Sequence, residues 1–184
     1  YVNQPVVDDM IARGMMALTG AATHGDAWKK ILPNYRVGQG IAVKINFTND
    51  GAFGRLDALP QTLSAMMRGL TQMGVREDDV WVYDTRTIAD YYLQLCQYRG
   101  IRVFDGVTRG PVTFNSSDPS AVIPFSPPQG VPSPGALKIA DLLLDATYLI
   151  NVPTFKAHVT GAGVTLGFKN HQGSHNNPSA LHAY

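Results

Sequence analysis

Between residues 37 and 106 the apolar residues switch repeatedly between two periods, and that alternation constrains the fold more than any other feature of the chain. "VGQGIAVKINF" carries a nearly continuous apolar run from Ile41, the pattern of a strand covered on both faces. In "LPQTLSAMMRGLTQMGV", Leu63, Met66, Met67, Leu70 and Met73 recur at helical spacing, with Gly74 as the stop. "DVWVYD" (79–84) predicts a second strand, "IADYYLQLCQYRG" a helix ending at Gly100, and "IRVFDG" a third strand. Strand–helix–strand–helix–strand at this spacing calls for right-handed crossovers and a parallel sheet. The methionine stripe reads as core packing.

The flanks extend this pattern. "PVVDDMIARGMMAL" has Val7, Met10, Ile11, Met15 and Leu18 at helical spacing, with Asp8 and Asp9 near the favoured N-terminal end. "AWKKIL" reads as a second short helix stopped by Pro33. After the third strand the pattern breaks into "PVTFNSSDPSAVIPFSPPQGVPSPG" (111–135), rich in Pro, Ser and Gly. It reads as an irregular excursion over about 106–135, or a short hairpin added to the sheet edge. "ALKIADLLLDA" then predicts a helix, "TYLINVP" a fourth buried strand, and the segment from about Thr160 through "AGVTLGFKN" another helix. The expected fold is a single α/β domain over residues 1–184, an open, mostly parallel, Rossmann-like sheet flanked by helices. The chain opens "YVNQPVV" without an initiator Met, so a processed protein or a piece of a longer one is expected. Localisation stays open between the cytoplasm and export after leader removal.

Composition narrows the function classes. The formal net charge is +1, which gives no field for nucleic acid. Charged residues are 16%, against roughly 25% in a typical soluble domain. A surface this weakly charged suits coverage by a partner, including a homo-oligomer. Cys96 is the single cysteine, so this chain alone ligates no iron–sulphur cluster and forms no internal disulfide. No apolar run reaches the roughly 18 residues of a membrane span.

In an open parallel sheet, ligands bind outside the carboxyl ends of the strands. The first strand finishes with Lys44, Asn46, Thr48, Asn49 and Asp50; the second with Asp84, Thr85 and Arg86; the third with Asp105; the fourth with Asn151, Lys156 and His158. Convergence of these groups on one edge is the expectation. Lys44 interrupts a buried run, which is costly unless the amine is paired or faces a cavity. A salt bridge to Asp84 and a ligand-facing role are both open, and they are compatible.

The stretch "LINVPTFKAHVTGAGVTLGFKNHQGSH" (149–175) holds two lysines, three histidines and no acid. Gly161, Gly163 and Gly167 at a strand-to-helix turn would let backbone N–H groups approach an anion. Lys156 and Lys169 flank them, so a phosphate, carboxylate or other oxyanion is favoured. The segment has neither the ending of a P-loop nor the spacing of a dinucleotide fingerprint. His171 and His175 are four apart; with His158 they form a candidate set for a divalent metal. A plain polar tail is the alternative.

Taken in order, these residues resemble the signature of a family, domain of unknown function 362. The likeness rests on Pro153, Lys156, His158, the turn Thr160–Thr165, Lys169, Asn170 and Gly173. Upstream, "VKINF" resembles the family's Lys-x-Asn strand end, at Lys44 and Asn46, and "VWVYDTR" its Asp-ended second strand, at Asp84. The ordered match spans residues 41 to 174. The family has no established activity; fusion of some members to ferredoxin-like modules implies redox work there, but this chain lacks the cysteines for such a module. The layout is also similar to the first domain of the nickel-pincer lactate racemase family, at Asp84-Thr85-Arg86 and from His158 to Lys169, in a different chain order.

The expected function is binding of a small anionic substrate or cofactor, by an enzyme assisted by a metal or cofactor. His158, Asp84 and Lys156 are the expected catalytic groups, with the imidazole as acid/base because it titrates near neutral pH. Lys44, Asn46, Gly161, Gly163, Lys169 and Asn170 would hold the substrate or cofactor. A non-catalytic assembly protein and an electron-transfer partner domain are the competing readings.

Overall fold

A computed structural model describes residues 2–48, 57–106, 109–157 and 164–178. The elements are α1 (Gln4–Thr19), α2 (His24–Ile31), β1 (Gly40–Lys44), α3 (Pro60–Met73), β2 (Val80–Tyr83), α4 (Asp90–Leu95), β3 (Arg102–Asp105) and β4 (Gly110–Pro111). They continue as β5 (Val122–Ile123), β6 (Leu137–Lys138), α5 (Leu142–Asp145), β7 (Ala146–Asn151), β8 (Lys156–Ala157), β9 (Val164–Thr165) and α6 (Gly167–Asn170).

The helix ends follow local chemistry. Asn3 caps α1 by accepting the Val6 N–H at 3.4 Å, and Thr23 caps α2 by accepting the Asp26 N–H at 3.1 Å. α3 opens on Pro60, whose missing N–H costs nothing in the first turn. It closes on Gly74 at φ +104°, a left-handed residue that a side chain would strain.

Among the described residues, five strands form one sheet in the order β4-β3-β2-β1-β7, and every neighbouring pair is parallel. β1 is central and buried throughout. The sheet grows from β1 through β2 and β3 to β4 on one side, and β7 is then added on the other. The order therefore reverses between β1 and β7, a topological switch point.

The sheet's period of two separates its faces. Ile41, Val43, Ile45, Val80 and Val82 pack with Leu63, Met67 and Leu70 of α3 and with Trp28 of α2. Ala42 and Tyr83 belong to a smaller core with Ala140 and Leu142, against which Trp81, Phe104 and Phe114 pack. Leu70 is fully buried, so Leu70→Ala would cost about 2–5 kcal/mol. α1 contributes only partly buried Ile11 and Met15 to the larger core.

The α/β class and the parallel sheet match the sequence expectation; several elements do not. The helix expected through Gly100 stops at Leu95, because Cys96 turns extended to enter the core. There the Gln97 N–H donates to Ser64 Oγ at 3.1 Å. "ALKIADLLLDA" supplies β6 and only one helical turn, α5. Its Ile139 N–H is taken by Ala121 O at 2.9 Å and its Ala140 N–H by Ser174 O at 2.9 Å. Helical spacing over so short a stretch loses to these tertiary partners.

β7 is an edge strand rather than a buried one. Tyr148 and Ile150 pack on the larger core while Leu149 remains 48% exposed. Beyond it, Val164–Thr165 pairs antiparallel with Lys156–Ala157, and α6 is a single turn instead of a long helix. The excursion contributes β4 at the sheet edge and β5, which pairs antiparallel with β6 in a separate ribbon. Asp141 ties it down, accepting from Thr113 Oγ1 at 2.7 Å and from the N–H groups of Asn115 and Ser116 at 2.8 and 3.0 Å. Among the described residues no helix is long and apolar enough to cross a membrane.

Candidate functional site

Parallel pairing places Lys44, at the end of β1, opposite Tyr83 of β2 and Asn151 of β7. Residues in register share a face, so the amine, the phenol and the amide stand in one row at the carboxyl ends. Lys44 is 1% exposed. Its Nζ donates to Asp84 Oδ2 at 2.9 Å and to the Ile45 carbonyl, and lies 5.7 Å from the Tyr83 ring centroid. Asp84 is held in turn by the Phe47 N–H at 2.9 Å and the Arg86 N–H at 3.1 Å. Burial pushes the Lys44 pKa down, the Asp84 carboxylate opposes this, and the charge of Lys156 adds to the lowering.

An amide network extends from this pair towards the switch point. Lys156 Nζ donates to Asn46 Oδ1 at 2.8 Å. Asn46 Nδ2 donates to Asn170 Oδ1 at 3.3 Å, and Asn170 Nδ2 donates to the Lys44 carbonyl at 3.1 Å and Asn151 Oδ1 at 2.7 Å. Asn151 Nδ2 donates to the Gly167 carbonyl at 2.9 Å. These bonds lock the one-turn α6 onto the ends of β1 and β7. Lys156 is half-buried, and burial lowers its pKa while the charges of Asp57 and Asp84 pull it back up.

Ser174 makes the adjoining wall. Its Oγ lies 2.9 Å from Tyr83 OH and 3.2 Å from His171 Nδ1. Burial pushes the Tyr83 phenol up to about 12. Burial, then the charge of Lys44, lowers the His171 pKa. Gly173 seats this wall: a Cβ there would stand 3.0 Å from Lys44 Cε, 3.1 Å from its Nζ and 3.1 Å from Thr85 Oγ1. A side chain there would have to push the tightly held amine aside by a few tenths of an ångström.

Of the groups named from sequence, the structure brings together Lys44, Asn46, Asp84, Lys156 and Asn170. The salt bridge expected for Lys44 is present, with Asp84 as its partner. Lys169 is half-exposed on α6 beside Asn170. Asp105 does not join the cluster: it is buried, accepts the N–H groups of Ile88 and Arg109, and pairs with the Arg109 guanidinium at 3.1 Å. His171 lies in a short 3-10 turn and His175 beyond it is extended, so the two do not share a helix face. His158, Gly161, Gly163, Asn49 and Asp50 lie outside the described residues. Among the described residues no three His, Cys, Asp or Glu gather closely enough to hold a metal ion. Tyr83 and Ser174 were missed. Tyr83 could have been found as the in-register neighbour of Lys44; Ser174, in "HQGSH", carries no sequence signal of its own.

A family model, Domain of unknown function (DUF362), matches residues 41–183. The chain belongs to this family. The DUF362 match opens at the start of the apolar run of β1 and takes in every residue of the cluster above. No curated protein and no solved structure matches the chain, so no relative of known activity supports the likeness to the nickel-pincer lactate racemases.

Proposed function

We propose that this DUF362 domain binds a small anionic molecule at the switch point between β1 and β7 and acts on it with the help of a metal or cofactor. The observation that carries the reading is the placement of Lys156. Its half-buried amine donates to Asn46 Oδ1, 2.8 Å away, where the strand order reverses. A cation in a partly desolvated crevice at a switch point is the arrangement that captures carboxylates and phosphates in open α/β sheets. Lys44 has a different part: buried with Asp84, it fixes the strand ends and raises the local potential. Asn46 and Asn170 hold the crevice open as neutral hydrogen-bonding groups.

His158, two residues beyond Lys156, is the proposed acid/base, with Asp84 as a charge-balancing group. Lys169 and the glycines at 161 and 163 are proposed to add anion contacts. His158, His171 and His175 are the proposed metal set, which elemental analysis of untreated protein tests. Titration calorimetry with phosphate, acetate and malonate tests the anion site. At least one should bind, and Lys156→Met should weaken it about tenfold or more, as expected for a hydrogen bond to a charged group. No binding by any of the three, or equal binding by the variant, removes the proposal.

A further inference from the structure

His24 is a buried histidine that the anion site does not use. It opens α2, is 7% exposed, and its Nε2 accepts the Trp28 indole N–H at 3.1 Å, one helical turn on. A ring nitrogen that accepts carries no proton, so this bond exists only while Nε2 is bare. Protonation would set two N–H donors against each other. α3 closes off one way out: Gly69 lies against the bond, and a Cβ there would collide with both His24 Nε2 and Trp28 Nε1. Trp28 is buried in the larger core, so the indole is not the ring that can leave.

The imidazole has room to move. A cavity of about 310 Å³ lies where α1, α2 and α3 meet, lined by Asp8 and Asp9 of α1, His24 of α2, and Arg68 and Gln72 of α3. Asp8 Oδ1 accepts Gln4 Nε2 at 2.7 Å and its Oδ2 accepts Arg68 Nη1 at 2.9 Å. Asp9 pairs instead with Arg13, 2.8 Å away on the surface. Burial, then the charge of Arg68, lowers the His24 pKa, and the charge of Asp8 opposes them. The Arg68–Asp8 pair and the bond from Gln4 Nε2 to the Gln61 carbonyl, at 3.0 Å, tie α1 to α3, and α1 itself has no buried residue.

We infer that His24 is an acid-operated switch at this three-helix junction: on protonation its ring leaves the Trp28 indole, turns into the cavity and takes Asp8 from Arg68. In the neutral state the imidazole accepts from the indole and Arg68 holds Asp8. In the protonated state the imidazolium donates to Asp8, and Arg68, whose side chain is already 56% exposed, is released to water. The indole N–H then loses its partner, and that cost confines the exchange to acid pH. The charged tie of α1 passes from α3 to α2. The inference is independent of the anion site, and His24 is not one of the proposed metal ligands.

The test is a pH titration of the isotope-labelled chain by NMR, following the indole N–H signals of Trp28 and Trp81 and the His24 ring. Trp81→Phe identifies which indole signal is which. Between about pH 7.5 and about pH 4.5 the Trp28 signal should move along one reversible curve that follows the His24 ring, with a midpoint below 6.5, while Trp81 stays still. His24→Gln keeps an acceptor and cannot titrate, so it should flatten the Trp28 curve. Asp8→Asn should lower the midpoint and Arg68→Gln should raise it, each by about half a pH unit. Both changes leave the core untouched. A Trp28 signal that stays fixed while the His24 ring titrates, or a Trp28 curve that survives His24→Gln, overturns the inference. So does a midpoint that neither the Asp8 nor the Arg68 change moves.

Discussion

Replacing Asp84 by Asn leaves the Lys44 amine buried beside a group that no longer carries charge. Two unit charges 2.9 Å apart attract by about 6 kcal/mol at an effective dielectric near 20. Part of this offsets the water both groups gave up, so removing one partner should cost about 3–5 kcal/mol. The carboxylate also accepts from the Phe47 and Arg86 N–H groups. An amide has one acceptor oxygen, so it cannot serve the amine and both N–H groups equally well. For a chain of this length the loss corresponds to a fall in Tm of about 6–20 °C. Lys44→Met with Asp84→Asn removes the stranded charge and should recover most of it, giving a coupling of at least about 2 kcal/mol. Urea unfolding followed by tryptophan fluorescence measures all four corners of the cycle. An Asp84→Asn loss below about 1 kcal/mol, or simple additivity in the double variant, refutes the buried pair.

Three further outcomes are expected. His24, His171 and His175 all have pKa values lowered chiefly by burial, so the unfolded chain binds protons near pH 6.5 before the native state does. Stability should fall as pH drops through that value, seen as a lower urea midpoint at about pH 5.5 than at about pH 7.5; a midpoint that rises on acidification contradicts this. Gly173→Ala should destabilise by about 1–3 kcal/mol, because Lys44 is pinned and cannot give way to the new Cβ; an unchanged melting curve would show that the wall yields. Asn170→Ala should cost about 2–4 kcal/mol by stranding groups on Asn46, Asn151 and the Lys44 carbonyl, and chemical denaturation checks it.

Much of the fold is legible in the sequence where period and length agree. The continuous run at β1, the methionine stripe of α3 and its Gly74 stop each carry one local signal that tertiary contacts reinforce. Where tertiary partners take the backbone, the reading fails: Ile139 and Ala140 spend their N–H groups on Ala121 and Ser174, so a helical spacing yields one turn. β7 misleads for another reason. Its unbroken apolar run looks two-sided, yet Tyr148 and Ile150 enter the core while Leu149 lines an open cavity. At the site, Lys44 stood out because a lysine inside a buried strand is expensive. Asn151 and Asn170 are legible as strand-end and anion-holding candidates, but their bond to each other depends on the one-turn α6 folding back onto the ends of β1 and β7.

The central claim is that the crevice beside Lys156 holds an anion. Native mass spectrometry with elemental analysis, on protein purified without a histidine tag and without phosphate, tests it most directly. The account predicts a small acidic molecule bound near one per chain, released on gentle activation and absent from Lys156→Met that keeps its circular dichroism. A clean apo mass that stays unchanged when phosphate, acetate or malonate is added would contradict it.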